Sequence, residues 1–175
     1  DAASGPQSAP LVVVVTGKGP LRGAFETAIA DARLQRVDAR CAWLDSADYV
    51  KLLALADLGI CLHASSSGID LPMKVVDMFG ANLPVLALDF PAMPELVRHD
   101  HNGLLFRDAP SLTAGLQDVL RDFRAGTSPV LDRLRRNAGF LADDDDDDGV
   151  VSGGFASWHD MWRARVRPLV LPVVE

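Results

Sequence analysis

The sequence predicts an α/β domain, a Rossmann-like parallel sheet with helices on both faces, and two observations predict it. Short apolar runs of strand length alternate along the chain with stretches of helical periodicity. The intervening stretches are long enough for the crossover that a parallel strand return requires, so βαβ units follow.

Leu11 to Val15 is a continuous apolar run closed by Thr16 and Gly17, the pattern of a strand buried on both faces. A helix is expected from about Leu21, with Phe25 and Ile29 on one apolar face, and Val37 to Ala42 reads as the next strand. Asp45 and Ser46 offer capping oxygens to a helix carrying Tyr49, Leu52, Leu53 and Leu55. Leu58 to Leu62 is another expected buried strand, and His63 to Gly68 a polar loop. A helix from near Leu71 to about Phe79, with Pro72 in its first turn, precedes strand Val85 to Leu88. Met93 to Val97 fits a short helix, Asn102-Gly103 a turn before Leu104 to Phe106, and Ser111 to Phe123 a helix facing Leu112, Leu116, Val119 and Leu120 inward.

This organisation divides into a lead-in (1–10) expected to be disordered, a Rossmann-like domain (11–128), a helix with an acidic disordered loop (129–154), and a C-terminal amphipathic helix and tail (155–175). The six aspartates from Asp143 to Asp148 repel one another too strongly to pack and lack the interspersed turn residues of an ion-binding loop. Phe155, Trp158, Trp162 and Val166 recur at helical spacing and read as a core-packed face.

Of the 175 residues, 49% are hydrophobic, enough for a substantial core. The formal charge of −7 owes much to the aspartate run, and no basic stripe marks a nucleic-acid partner. Cys41 and Cys61 sit in strand-like stretches and read as buried thiols of a reducing compartment. No apolar stretch suits a bilayer core of about 30 Å, so the piece is expected to be soluble; its start without a methionine suggests a fragment.

Because ligands of parallel α/β sheets bind beyond the carboxyl ends of the strands, the loops at Gly17, Trp43 and Ser65 are the places to seek function. Gly17-Lys18-Gly19-Pro20 puts two glycines and a cation between a strand and a helix, a place that suits a diphosphate; the same residues equally describe a plain turn with an exposed lysine. In Ser65-Ser66-Ser67-Gly68-Ile69-Asp70-Leu71-Pro72-Met73-Lys74-Val75-Val76-Asp77, a helix from Leu71 would align Asp70, Lys74 and Asp77 on one face. A carboxylate there suits a ribose diol and Lys74 a phosphate, although a capped helix with an exposed Asp70–Lys74 pair explains the spacing as well. Trp43 fits either a purine wall or the core. His63 suits a substrate hydroxyl or a structural place, and His99 and His101 lack metal-ligand spacing, so no metal site is expected.

Several of these phrases together resemble the family of chitobiosyldiphosphodolichol beta-mannosyltransferases. They are Val15 to Arg22, Trp43-Leu44 with Asp48-Tyr49, Ala56 to His63, and above all Ser65 to Gly80; the likeness continues through Leu83-Pro84-Val85, Glu95-Leu96-Val97 and Asn102-Gly103-Leu104. It covers about Leu11 to Phe123, with a looser echo at Trp158 to Leu169.

What the resemblance implies is the C-terminal part of a GT-B glycosyltransferase, the half that holds the nucleotide sugar. The implied reaction is inverting β-1,4 transfer of mannose from GDP-mannose to dolichol-diphosphate chitobiose in N-glycan precursor assembly. It would take place on the cytosolic face of the endoplasmic-reticulum membrane, alongside other dolichol-pathway glycosyltransferases. The implied donor-binding residues are Gly17, Lys18, Gly19, Trp43, Ser66, Ser67, Gly68, Asp70, Lys74 and Asp77. Asp77 matches the second acid of the pair common in related enzymes, whereas Asp70 stands one position out of register with the first. The general base is expected in an N-terminal half, so this piece alone is expected to be inactive. No tightly bound cofactor is expected, and free magnesium is left open. The alternative is a non-catalytic nucleotide-sugar-binding module of the same fold; a dinucleotide-dependent oxidoreductase is disfavoured because Gly-x-Gly-x-x-Gly is absent.

Overall fold

The structure, a computed structural model, describes residues 11–124, 126–138, 159 and 162–170. The chain divides into two compact units, Asp1–Tyr49 and Val50–Glu175.

In the first unit, β1 (Leu11–Thr16) pairs in parallel with β2 (Val37–Ala42), in a register running from Leu11 opposite Val37 to Thr16 opposite Ala42. The connecting helix α1 (Arg22–Asp31) begins after Leu21. The expectation that β1 is buried on both faces is corrected here: Val12 is 58% exposed, and Leu11, Val14 and Val15 stand just under two-fifths exposed. Among the described residues of this unit, β1 has one paired strand and the unit has one complete helix, too few elements to cover both faces of a sheet. Phe25 on α1 is exposed for the same reason.

Helix α2 (Ser46–Leu55) carries the boundary between the units, and its start is capped by Asp45, whose Oδ1 accepts from the Asp48 amide at 2.8 Å. The second unit then orders three parallel strands as β3 (Gly59–Cys61), β4 (Val85–Leu88) and β5 (Gly103–Phe106). Gly59 lies opposite Val85, and Val85 opposite Gly103. The central strand carries the burial, since Val85, Leu86 and Ala87 are all inaccessible. Strand β3 is shorter than the expected Leu58 to Leu62 and is not buried throughout: Cys61 is buried while Ile60 and Leu62 are exposed. Its burial alternates, as in a strand covered on one face.

Helix α3 (Met73–Gly80) buries Val75, Met78 and Phe79. Its start corrects the expected helix from Leu71. Pro72 is the capping residue, with ψ 117° in the extended region. Proline clashes with a helical residue before it, so Leu71 stays outside and the first turn moves to Met73.

After β4 comes a 3-10 turn (Met93–Glu95), with Met93 and Val97 fully buried. Asn102 is not an exposed turn residue but is 2% exposed: its Oδ1 accepts from the Arg98 amide at 2.7 Å and its Nδ2 donates to the Leu96 carbonyl at 3.3 Å. Helix α4 (Ala109–Val119) starts two residues before Ser111, because Asp108 and Ser111 form a reciprocal capping box. Helix α5 (Pro129–Ala138) is tied down by Ser128, which donates to the Val119 carbonyl and accepts from the Leu131 amide. Leu131 and Leu134 join Leu86, Leu104, Phe106 and Val119 in one buried cluster.

Phe155, Trp158 and the run Asp143 to Asp148 lie outside the described residues, as do residues 1–10. The described part of the C-terminal segment is a π-helical turn (Trp162–Val166) leading into α6 (Arg167–Val170). Of the four residues expected to form a core-packed face, Trp162 and Val166 are described, and neither is core: Trp162 is half-buried and Val166 is 37% exposed. Pro168 withholds an amide from the helical ladder, and arginines at 163, 165 and 167 break up the apolar stripe.

Candidate functional site

Each unit presents polar residues where its parallel strands end, and each is described by itself. In the first unit, the register of β1 and β2 brings Gly17 beside Ala42, whose carbonyl accepts from the Gly17 amide at 3.2 Å. Gly17 has φ +150°, a value that a side chain disfavours, so the chain leaves β1 sharply. The next residue on each strand end meets the other: Lys18 Nζ stands 4.0 Å from the centroid of the Trp43 ring. Trp43 is 55% exposed, so the core alternative for this residue is set aside. Arg22, at the start of α1, donates to Glu26 at 2.8 Å and to the Cys41 carbonyl at 3.2 Å. Glu26 holds the Arg22 guanidinium above its ordinary range, first through that hydrogen bond and then through its charge.

In the second unit, the loop after β3 is organised from within by Ser65. Its hydroxyl accepts from the amides of Gly68 at 3.0 Å and Asp70 at 3.2 Å. The hydroxyls of Ser65 and Ser67 both donate to Asp70 Oδ2 at 3.2 Å. Gly68 turns the loop with φ +77° and open space around its α-carbon. Asp70 therefore belongs to the loop, not to a helical face with Lys74 and Asp77. Those two lie three residues apart on α3, both exposed. Ser66 is exposed between the two bonded serines.

Lys74 is felt at the strand end. Burial pushes the Cys61 thiol up, while a backbone hydrogen bond involving His63 and the charge of Lys74 pull it down. His63 packs edge-on to Phe90, with ring centroids 6.2 Å apart. Arg107, just past β5, donates from Nε to Asp89 Oδ2 at 2.9 Å, and the Asp89 amide donates to the Phe106 carbonyl at 2.7 Å. Sequence reasoning missed Ser65 as the centre of its loop, and missed Asp89, Phe90 and Arg107. The signal for the last three was present: Asp89 and Phe90 come straight after β4 and Arg107 straight after β5, at the ends of parallel strands.

His99 accepts at Nδ1 from the Leu105 amide at 2.9 Å, so its ring has a structural place, and Asn137 donates to the main-chain carbonyl of His101 at 3.1 Å. Among the described residues there is no group of three or more His, Cys, Asp or Glu suited to a metal ion, and no helix long and apolar enough to cross a membrane. Cys41 and Cys61 are both free thiols, the first half-buried and the second buried.

Parallel βαβ units with polar, glycine-bearing loops at the strand ends define a Rossmann-like α/β domain. The fold resembles the crystal structure of Anabaena Alr3699/HepE in complex with UDP-glucose, with a TM-score of 0.51 and 19% identity over 76% of this chain and 36% of that one. The family model described as glycosyl transferases group 1 matches residues 3–122, and the chain belongs to that family. It is 44% identical over 160 residues to chitobiosyldiphosphodolichol beta-mannosyltransferase of Mus musculus, covering 91% of this chain and 30% of the relative. It is 56% identical over 101 residues to the Candida albicans protein of the same name, covering 57% of this chain and 22% of the relative. The chain thus spans under a third of the length of these curated relatives.

Proposed function

We propose that this chain is the donor-binding part of an inverting β-1,4-mannosyltransferase that moves mannose from GDP-mannose to dolichol-diphosphate chitobiose. The observation that supports it most is the Ser65–Asp70 loop, bonded within itself and leading directly into a helix with Lys74 and Asp77 exposed. A loop already ordered before the ligand arrives loses little entropy on binding. The resemblance of this same stretch to the mannosyltransferases supplies the donor and acceptor.

In this reading the acceptor hydroxyl attacks the anomeric carbon of mannose from the face opposite the diphosphate. The new carbon–oxygen bond forms as the bond to the phosphate oxygen breaks, the hydroxyl proton passes to a general base, and GDP leaves. The base is assigned to no residue of this chain. In the second unit, negative charge growing on the leaving diphosphate is met by Lys74 and by the amides opening α3, whose capping residue offers no side-chain acceptor; in the first unit, taken by itself, Lys18 is the cation suited to a phosphate. In the second unit Asp77 is proposed to hold the ribose diol, with Ser66, Ser67 and Gly68 letting backbone and hydroxyl donors approach the nucleotide sugar; in the first unit Gly17 and Gly19 are proposed to open the strand-end loop to a phosphate. Asp70 acts here through the serines that it binds. The full-length protein would work at the cytosolic face of the endoplasmic-reticulum membrane, where its lipid acceptor and other dolichol-pathway glycosyltransferases are found.

Calorimetric titration with GDP, UDP and GDP-mannose tests the reading. GDP-selective binding weakened by Lys74→Ala and by Asp77→Ala supports it. A folded chain that prefers UDP, or that is indifferent to both substitutions, refutes the donor or the residues.

A further inference from the structure

The contact between Lys18 and Trp43 points to a role for the tryptophan other than stacking on a nucleobase. The two residues leave neighbouring strand ends, held in register by the Thr16–Ala42 pairing and the Gly17 amide on the Ala42 carbonyl. The ammonium sits 4.0 Å from the ring centroid, within the range of a cation–π contact. The ring is 55% exposed, so it is not held in place as core. A lysine has four rotatable bonds and loses much rotamer freedom when it is fixed, so an unsupported Lys18 would spend that freedom on binding an anion. Seated on the indole, it gives up part of that freedom beforehand, and the ammonium keeps N–H donors for a phosphate.

We infer that Trp43 is a positioning residue: its ring face seats the Lys18 ammonium so that the strand-end loop of Gly17 and Lys18 is preset for a diphosphate. The inference rests on the proposed donor-binding function, and it specifies which part of the donor Trp43 serves. It requires that Trp43 acts through Lys18 on the phosphates and not on the base.

The probes are GDP and inorganic pyrophosphate, which share the diphosphate but not the base. Their affinities are measured by calorimetry for the whole chain and for Trp43→Leu, Trp43→Phe, Lys18→Met and the double variant Lys18→Met/Trp43→Leu, with circular dichroism to check folding. Trp43→Leu is expected to weaken both probes by the same factor, about two- to fivefold, the strength of an exposed cation–π contact. Trp43→Phe, which keeps a ring face, is expected to recover most of that loss. In the Lys18→Met background, Trp43→Leu is expected to change nothing further.

The inference is overturned if Trp43→Leu weakens GDP and leaves pyrophosphate unchanged, the signature of a base wall, or if the two single losses multiply in the double variant. Both of those results leave the donor-binding reading standing. If the unsubstituted chain binds neither probe, or if Lys18→Met costs nothing, the diphosphate role of Lys18 fails and this inference fails with it.

Discussion

Ser65 donates its hydroxyl to Asp70 Oδ2 at 3.2 Å and accepts the amide of the same residue at the same distance. The two residues thus close a loop on itself, with the Gly68 amide as a third strut. Ser65→Ala removes one acceptor and one donor at once. Each such bond contributes on the order of 1 kcal/mol net, so nucleotide affinity should fall about three- to tenfold. The thermal midpoint should move little, because the loop is largely exposed and lies outside the core. Comparing Kd with Tm for Ser65→Ala and the parent chain checks this: an unchanged Kd would mean that the loop is not held by Ser65.

Gly103 should tolerate no side chain. A Cβ there would stand 2.5 Å from the Val85 carbonyl oxygen and 2.8 Å from Val97 Cγ1, and the first of these is backbone of the central strand. At Gly59 the nearest obstacle is also 2.5 Å away, but it is the flexible Met78 thioether. Gly103→Ala is therefore expected to cost about 2–3 kcal/mol and Gly59→Ala about 1 kcal/mol, the upper and lower parts of the usual range for overpacking. Urea unfolding of both variants reads the difference, and equal costs would mean that β4 and β5 can separate freely.

Acid should weaken the hold of α5 on the turn before β5. Arg133 binds Asp100 through both guanidinium nitrogens, at 2.6 and 3.0 Å, and this hydrogen bonding holds the Asp100 carboxyl below its ordinary range. Slight burial opposes the shift, and the charges of Arg133 and His99 add to it. A carboxyl lower in the folded than in the unfolded chain contributes stability above the ordinary aspartate value of about 3.9, and loses it as pH falls through the lowered value. Asp100→Asn should therefore lower Tm at pH 6 and converge with the parent chain near pH 2. A difference that persists undiminished at low pH would mean that the pair is not its source. Asparagine is the right replacement because residue 100 has φ +62°, which Asn tolerates.

The elements that the sequence made legible are those whose signal is local. Val85 to Leu88 is bounded by Pro84 and Asp89 and matched to the residue. Asp45 announced α2 through its cap. The start of α3 is also readable in principle, since Leu71 precedes a proline, but Pro72 caps the helix and does not lie in its first turn. What stayed hidden depends on partners distant in sequence. Asn102 stands in the turn that the sequence indicates, but its side chain's hold on the Arg98 amide and the Leu96 carbonyl is not legible there, and β1 reads as buried because a continuous run of valines says nothing about how many elements cover it. At the candidate site the residue types were legible and their bonding was not: Asp70 looked like a helical partner of Lys74 and is a strut for two serines.

Helix α5 gives the sharpest test of which residues make the core, because its sequence is strongly polar on one side. Leu134 is fully buried beside Leu131, Leu86, Leu104, Phe106 and Val119, while Arg136, two residues further on, is exposed. Leu134→Ala removes three carbons from a packed cluster and leaves a cavity, for an expected loss of about 2–5 kcal/mol. Arg136→Ala should stay within about 0.5 kcal/mol, as exposed substitutions usually do. Denaturant unfolding followed by circular dichroism measures both. If Leu134→Ala costs no more than Arg136→Ala, then α5 does not complete the hydrophobic core, and the cap that Ser128 provides between α4 and α5 carries no tertiary weight either.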